Sequence, residues 1–180
     1  LVPEGGIEPP TGHMRSPGTL SLRRETFEAV LTDVARSLKV HGFTQIVLIG
    51  DSGGNRTGME NVATALTTEW AGDAVAVHIP EYYRAPPGTP NVLNDLGVTT
   101  EDTETDGLHD NPAITLNMML DDPRSVRWSE RVATGQAAID GVSIADLGQS
   151  LQLGQRVADA RATRTAAVIR TRLSLSDLQD

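Results

Sequence analysis

Apolar residues recur at every third or fourth position after Ser21, a residue type that can cap a helix. This spacing predicts a helix that ends at Gly42 and whose apolar face carries Phe27, Val30, Leu31, Val34 and Leu38. The continuous apolar run of residues 44–50 instead predicts a strand covered on both faces, as strands of parallel sheets are.

The segments that follow continue this alternation. Residues 58–70 predict a second helix, residues 74–79 a second strand and residues 147–173 a long final helix. Helix, strand, helix and strand in this order are typical of α/β proteins with right-handed crossovers. We therefore expect an α/β fold built on parallel strands.

The remaining segments carry weaker patterns. Glycine and proline are frequent in residues 1–20, and residues 84–107 are polar and turn-rich, so both are predicted to be loops. Residues 112–120 predict a helix. Residues 125–135 fit a short helix or a strand, and residues 137–146 fit a strand or a turn.

Composition narrows the class of protein. A chain of 180 residues is long enough for one domain with its own core, so we expect a single domain over residues 1–180. The net charge of -9 argues against nucleic acid and anionic membranes as partners. There is no cysteine and no apolar run of membrane-spanning length, and we expect a cytoplasmic protein, although an upstream signal peptide stays open.

The stretch VLIGDSGGNRTG, residues 47–58, contains GDSGG, the string that surrounds the nucleophilic serine of trypsin-like proteases. Those enzymes need a β-barrel scaffold and a histidine base, whereas here the string follows a buried strand and precedes a helix. The context therefore argues against a trypsin-like protease, since a short motif outside its structural setting is weak evidence.

The same loop is expected at the carboxyl end of a parallel strand, where α/β proteins bind ligands. Its glycines allow the backbone to approach a ligand closely, so we expect substrate contacts from Ser52, Gly53, Gly54 and Asn55. The structural alternative is a tight strand-to-helix turn in which Asp51 only caps the helix.

Three segments together resemble the creatininase (creatinine amidohydrolase) family. GHMRSPGTLSL at 12–22 is similar to that family's His-x-x-x-Pro-Gly-Thr-x-Ser-Leu segment. IVLIGDSGGN at 46–55 falls where the family has a strand ending in Asn-Gly-His-Gly-Gly-Asn. DGLHDNPAITLNMML at 106–120 falls where the family has Asp-x-His-Ala-Gly-x-x-Glu-Thr-Ser before a helix.

The resemblance implies a three-layer α/β sandwich around a mainly parallel sheet. It implies metal-dependent hydrolysis of amide-type, non-peptide C–N bonds in small molecules, including cyclic amides, with zinc or manganese. It also implies a homo-oligomer, often a hexamer. In such sites the metal acidifies a bound water and polarises the carbonyl.

The chain departs from the family pattern at ligand positions. Ser52 stands where the family has a metal-binding histidine, and a hydroxyl is a poor zinc ligand beside imidazole. Ile114 stands at the glutamate of the Glu-Thr-Ser element. The family's first metal-binding segment and its N-terminal strand have no match in the chain, and they would lie before Leu1. We therefore expect a divergent subgroup with an altered metal site or none.

Five residues remain as candidates for chemistry on this resemblance. His109 aligns with the family's proton-shuttling histidine, and Asp110 is an additional carboxylate beside it, so both are predicted to be catalytic. Asp51, His13 and Asp106 are predicted as metal ligands.

Three hypotheses follow from these residues. The first is a metal-dependent amidohydrolase of the creatininase type that acts on a small molecule. The second is a non-catalytic protein of the same fold that binds a small ligand or supports an assembly, motivated by Ser52 and Ile114 at ligand positions. The third is a metal-free serine hydrolase that uses Ser52.

Overall fold

The computed structural model describes residues 3–83, 92–100 and 111–176. In chain order, the helices and strands are α1 (Arg24–Val40), β1 (Gln45–Leu48), α2 (Arg56–Trp70), β2 (Val75–His78), α3 (Val92–Asp95), α4 (Pro112–Asp121), α5 (Trp128–Ala133), β3 (Ala138–Ile139), β4 (Val142–Ser143) and α6 (Leu147–Ser176). Short 3₁₀ turns cover Gly12–Arg15, Gly53–Asn55, Pro80–Tyr82 and Pro123–Val126.

Strands β1 and β2 form a parallel pair whose register runs from Gln45 opposite Val75 to Leu48 opposite His78. Helix α2 connects them, because parallel strands need a crossover that returns the chain to the same end of the sheet. This unit confirms the predicted α/β fold. The three-layer arrangement of that fold stays a prediction.

Thr67 of α2 binds the backbone of β2 at Ala76 through both backbone groups. Its hydroxyl donates to the Ala76 carbonyl oxygen at 2.8 Å, and the Ala76 amide donates to Thr67 Oγ1 at 2.9 Å. A side chain therefore makes the two hydrogen bonds that these backbone groups would otherwise make with a neighbouring strand.

Two compact units divide the chain, and each has its own core. The first comprises Leu1–Pro86 and Thr165–Asp180, and the second comprises Pro87–Arg164. The expectation of one domain over the whole chain stays a prediction.

In the first unit, apolar side chains of α1 and α2 cover the parallel pair. Its core consists of Ala35, Ile46, Val62, Ala63, Leu66, Trp70, Ala74 and Ala76. Burial of the larger aliphatic side chains among them, Ile46, Val62 and Leu66, stabilises a fold by about 1.5–3 kcal/mol each. Because these residues hold β1, β2 and α2 together, they also hold the loop that follows β1 in place.

In the second unit, α3, α4, the antiparallel β3–β4 hairpin and α6 share a second core. It consists of Leu93, Leu116, Met119, Ala137, Ile144 and Val157. The indole nitrogen of Trp128 donates to the Ile144 carbonyl oxygen at 2.7 Å, which ties α5 to the segment after the hairpin.

Most predicted elements are observed near their predicted bounds. The structure makes residues 125–135 helical and 137–146 a hairpin, which decides between the alternatives that the patterns left open. The predicted loop 84–107 contains the short helix α3, since Leu93 is almost completely buried. None of the described helices combines the length and apolar character that crossing a membrane requires.

Candidate functional site

The GDSGG string forms the turn between β1 and α2. Ser52 has an extended backbone, with φ -143° and ψ 141°, and its hydroxyl oxygen accepts the Gly54 amide at 3.3 Å. The side chain therefore caps the 3₁₀ turn Gly53–Asn55, which leads directly into α2. The predicted position of this string, after a strand and before a helix, is confirmed.

A carboxylate that the sequence patterns did not single out connects two of the predicted site residues. The Ser52 hydroxyl donates to Glu4 Oε1 at 2.9 Å, and His13 Nδ1 lies 2.7 Å from Glu4 Oε2. We call Glu4, His13 and Ser52 the Glu4 network. The turn and the N-terminal segment thus meet at one carboxylate that uses both of its oxygens.

The backbone around Glu4 is held by the same segment. The Glu4 amide donates to Ser21 Oγ at 3.0 Å, and Ser21 Oγ donates to the Gly5 carbonyl oxygen at 2.9 Å. The His13 amide donates to the Glu4 carbonyl oxygen at 3.1 Å. These bonds fix both ends of the loop from Glu4 to His13 and so orient the carboxylate toward Ser52.

The prediction that Ser21 caps the first helix was wrong. The N-cap of α1 is Arg23, which makes no side-chain capping bond. The Ser21 hydroxyl is instead used by Glu4 and Gly5. A helix can begin without a side-chain cap when its free amide groups are hydrated. The Ser21 hydroxyl is therefore available for its hydrogen bonds with Glu4 and Gly5.

The two glycines of the turn have different surroundings. A methyl group on Gly54 would overlap the Pro3 carbonyl oxygen. The N-terminal segment of the chain itself therefore occupies the space beside this glycine. A methyl group on Gly53 would lie 3.4 Å from the Tyr83 hydroxyl, an ordinary contact, and Gly53 is exposed. Both glycines are exposed, and Gly53 is the one whose Cβ side is not occupied by the N-terminal segment.

Asn55 ends the turn and is 4% exposed. Its side-chain amide lies against Gly50, where a methyl group would collide with it. Among the described residues, its oxygen Oδ1 has no hydrogen-bond partner. An unpaired buried acceptor costs about 1–3 kcal/mol, so this oxygen lowers the stability of the turn unless a donor reaches it.

Of the predicted metal-binding and catalytic residues other than His13, Asp51 is the one that lies among the described residues. Asp51 is exposed in the turn beside Ser52. His109, Asp110 and Asp106 lie outside the described residues, so their predicted roles stay predictions.

The described part of the chain does not fit a zinc or manganese site. No group of three or more His, Asp or Glu side chains in it could hold a metal ion. The Glu4 network offers one carboxylate, one imidazole and a hydroxyl, whereas zinc sites use three or four nitrogen, sulfur or carboxylate ligands. Ile114, at the family's glutamate position, uses its backbone amide to bond Asn111 Oδ1 at 2.9 Å and has no side-chain donor.

Sequence reasoning missed Glu4 for a physical reason. Glu4 and Ser52 are 48 residues apart, and no periodicity or local motif marks a contact over that separation. The one available signal was the loop character of residues 1–20, which allows the segment to fold back on the turn.

Comparison with known proteins gives the chain its family. No curated protein matches the chain, and no solved structure matches it either. The family model Creatininase, described as creatinine amidohydrolase, matches residues 6–168. The match includes His13 and Ser52 and begins two positions after Glu4. Because it spans most of the 180 residues, the chain belongs to the creatininase family.

Proposed function

We propose that this protein hydrolyses an amide-type, non-peptide C–N bond of a small molecule, such as a cyclic amide, at the turn that follows β1. The observation that carries the proposal is the Glu4 network, in which one carboxylate joins Ser52 and His13. Membership of an amidohydrolase family supports the reaction class. The three-layer sandwich around a mainly parallel sheet is the fold that the proposal assumes.

Amide hydrolysis needs a base that takes a proton from the nucleophile and an acid that protonates the departing nitrogen. Glu4 Oε1 already accepts a proton donor, the Ser52 hydroxyl, and can hold a proton there. His13 Nδ1 contacts the other carboxylate oxygen, and its side chain is 56% exposed, so it can exchange protons with solvent. Together these residues can accept, hold and return one proton.

Substrate contacts are proposed at two positions of the turn, Gly53 and Asn55. Asn55 Oδ1, which is unpaired among the described residues, would accept an N–H of the substrate. Gly53 would let the substrate lie against an exposed stretch of backbone. Ser52 and Gly54, predicted from the sequence to bind substrate, are used here by Glu4 and Pro3.

Zinc or manganese remains part of the proposal on the strength of the family. The Glu4 network alone is too small a ligand set, so such a metal would require further ligands, for which Asp51 and Asp106 are the sequence-based candidates.

The experiment is a hydrolysis screen of cyclic and linear small amides, run with and without added zinc or manganese. Glu4→Gln is expected to lower kcat/KM by about 10²–10⁴-fold, the usual contribution of acid–base groups. Glu8→Gln is the matched control, since Glu8 is an exposed carboxylate of the same segment. Elemental analysis of the purified protein measures the metal.

Two results would contradict the proposal. One is the absence of hydrolysis under every metal condition. The other is an activity that Glu4→Gln leaves unchanged.

A second candidate is a non-catalytic ligand-binding or assembly protein of the same fold. Two observations favour it: the Ser52 hydroxyl is already committed to Glu4, and Pro3 fills the space over Gly54. Ligand binding at the turn without turnover of any amide would support this candidate over the first. Labelling of Ser52 by an alkylphosphonate probe would instead support the serine-hydrolase hypothesis.

The proposed assembly is a homo-oligomer, with the hexamer as the form that the family implies. The proposed binding partners of the protein are small molecules rather than nucleic acid or membrane. Its proposed location is the cytoplasm. Light scattering tests the assembly, because a hexamer has six times the 19.2 kDa mass of the chain.

A further inference from the structure

The phenol group of Tyr83 lies against the turn that follows β1. A Cβ atom placed on Gly53 would lie 3.4 Å from the Tyr83 hydroxyl oxygen, 3.7 Å from Cε1 and 3.8 Å from Cζ. These are the atoms nearest to that position beyond the chain neighbours of Gly53, and they form the polar end of the side chain. Because Gly53 directly follows Ser52, the hydroxyl contacts the turn one residue away from the Glu4 network.

The end of β2 carries Tyr83 to this place. The Ile79 amide donates to the Leu48 carbonyl oxygen at 3.0 Å, which joins the carboxyl ends of the two parallel strands. The Tyr83 amide donates to the Pro80 carbonyl oxygen at 3.2 Å, which closes the turn after β2. The phenol and the turn after β1 therefore meet at the edge of the sheet where α/β proteins bind ligands.

Two further contacts fix the turn that carries Tyr83. Arg172 of α6 donates to Glu81 Oε1 at 2.7 Å, and Ile79, just before the turn, is completely buried. A group held in place in this way can contact a substrate without first being ordered, which favours binding and catalysis.

The Tyr83 hydroxyl is free and accessible. It has no hydrogen-bond partner among the described residues, although tyrosine hydroxyls usually find one when they are buried. Tyr83 is half-buried, but its hydroxyl oxygen is not one of the fully buried unpaired atoms in the described part of the chain, so this oxygen reaches solvent. The hydroxyl can therefore donate a hydrogen bond to a small molecule that lies on the exposed backbone of Gly53.

The chemistry of the turn indicates which group of a substrate the hydroxyl would meet. Glu4 accepts hydrogen bonds, and the Ser52 hydroxyl already donates to it. An amide carbonyl oxygen needs a donor, and it becomes negatively charged when the amide is attacked. A donor that is already in place at this oxygen stabilises the transition state more than the ground state.

We propose that Tyr83 is a catalytic residue of the candidate site, whose hydroxyl donates a hydrogen bond to the carbonyl oxygen of the amide that is hydrolysed. The phenol keeps its proton, since Glu4 and His13 handle proton transfer in the proposed function. The inference rests on that proposed function for its reaction, whereas the contact between Tyr83 and a carbonyl group can be measured without turnover.

The kinetic test compares Tyr83→Phe with the wild type on an amide found by the hydrolysis screen and on the corresponding thioamide. The substitution keeps the ring and removes only the oxygen atom. For the amide, kcat is expected to fall by about 10²–10³-fold while KM changes by less than about threefold, because the contact strengthens in the transition state. For the thioamide a loss of less than about tenfold is expected, because sulfur is a weak hydrogen-bond acceptor.

Tyr82→Phe is the matched control. It removes the same oxygen atom from the other tyrosine of the chain, and no Tyr82 atom is among those nearest to Gly53. It is expected to leave kcat and KM unchanged on both substrates. A Tyr83 that merely packs over the turn would show equal losses on the amide and the thioamide, which would contradict the proposal.

The binding test uses protein whose two tyrosines carry ¹³C at Cζ. Tyr83→Phe assigns the Tyr83 signal by removing it. The probes are 2-pyrrolidinone and pyrrolidine-2-thione, which share one ring and differ in the carbonyl oxygen. A saturable shift of the Tyr83 signal is expected with 2-pyrrolidinone, with a dissociation constant about three- to tenfold higher for the thione, the usual value of one hydrogen bond.

The proposal is overturned if 2-pyrrolidinone produces no saturable change at Tyr83, if the thione binds as well, or if Tyr83→Phe keeps the wild-type kcat on an amide. Should Tyr83→Phe fail to fold, the probe pair on the wild-type protein decides alone. Carbonyl-selective binding at Tyr83 without turnover of any amide would contradict the proposed function and keep the contact. Hydrolysis that depends on Glu4 but not on Tyr83 would do the reverse.

Discussion

At the scale of single residues, the turn after β1 is defined by what each side chain has already bound. The Ser52 hydroxyl donates to Glu4, the Pro3 carbonyl oxygen occupies the Cβ side of Gly54, and Gly53 is exposed with only an ordinary contact on its Cβ side. The N-terminal segment is therefore part of the candidate site rather than an appendage to it. This makes the contact between Pro3 and Gly54 testable.

Gly54→Ala is expected to destabilise the protein by about 1–3 kcal/mol, because the added methyl group overlaps the Pro3 carbonyl oxygen. Chemical denaturation measures the free energy of unfolding, and limited proteolysis reports whether residues 3–13 are released. Gly53→Ala is the control, since its methyl group meets only an ordinary contact at 3.4 Å. Equal effects of the two substitutions would refute the close approach.

The pair of Glu81 and Arg172 makes stability depend on pH. The folded pKa of Glu81 lies below its ordinary value of 4.5, so its contribution is present above pH 4.5 and is lost as the pH falls through the folded value. The difference in unfolding free energy between wild type and Glu81→Gln should therefore shrink on acidification below pH 4.5.

A double-mutant cycle with Arg172→Met identifies the source of this pH dependence. In the Arg172→Met background the Glu81→Gln substitution should lose most of its pH-dependent effect, since Arg172 supplies the hydrogen bond that lowers the pKa of Glu81. An undiminished effect in that background would show that another group holds the carboxylate.

At the scale of helices and strands, the sequence predicted a feature correctly where its signal came from residues close together in the chain. The apolar spacing from Phe27 onward predicts α1, and the apolar run 44–50 predicts β1, because the burial pattern of a helix or strand is set by residues close in sequence. The contacts of Glu4, His78 and Glu81 had no such signal. The hydrogen bonds that position these three side chains join residues 48, 18 and 91 positions apart in the sequence.

The packing of α1 against α2 depends on Gly58. A methyl group there would lie 2.8 Å from the Phe27 ring, so Gly58→Ala is expected to destabilise the protein by about 1–3 kcal/mol in spite of the higher helix propensity of alanine. Thermal and chemical denaturation measure the change.

The control for this prediction is Gly148→Ala in the first turn of α6. Its methyl group would meet only Asp146 at 3.4 Å, so propensity should dominate and stabilise the protein by about 0.5–1 kcal/mol. Changes of the same sign at the two glycines would contradict the assigned close contact at Gly58.

At the scale of the whole molecule, one family match spans residues of both hydrophobic cores. The creatininase match over residues 6–168 includes residues of both compact units, while the Glu4 network belongs entirely to the first. The separation of cores could not be predicted from composition, since a chain of 180 residues is compatible with one core or two.

The two tryptophans allow this separation to be measured, because Trp70 belongs to the first core and Trp128 packs against the second. With Trp128→Phe as background, Leu66→Ala should lower the unfolding free energy reported by Trp70 fluorescence by about 2–5 kcal/mol. With Trp70→Phe as background, Leu116→Ala should act similarly on the transition reported by Trp128. Each substitution should affect the other tryptophan's transition less, because the cores consist of separate sets of side chains; identical shifts of both transitions would show that the two cores unfold as one.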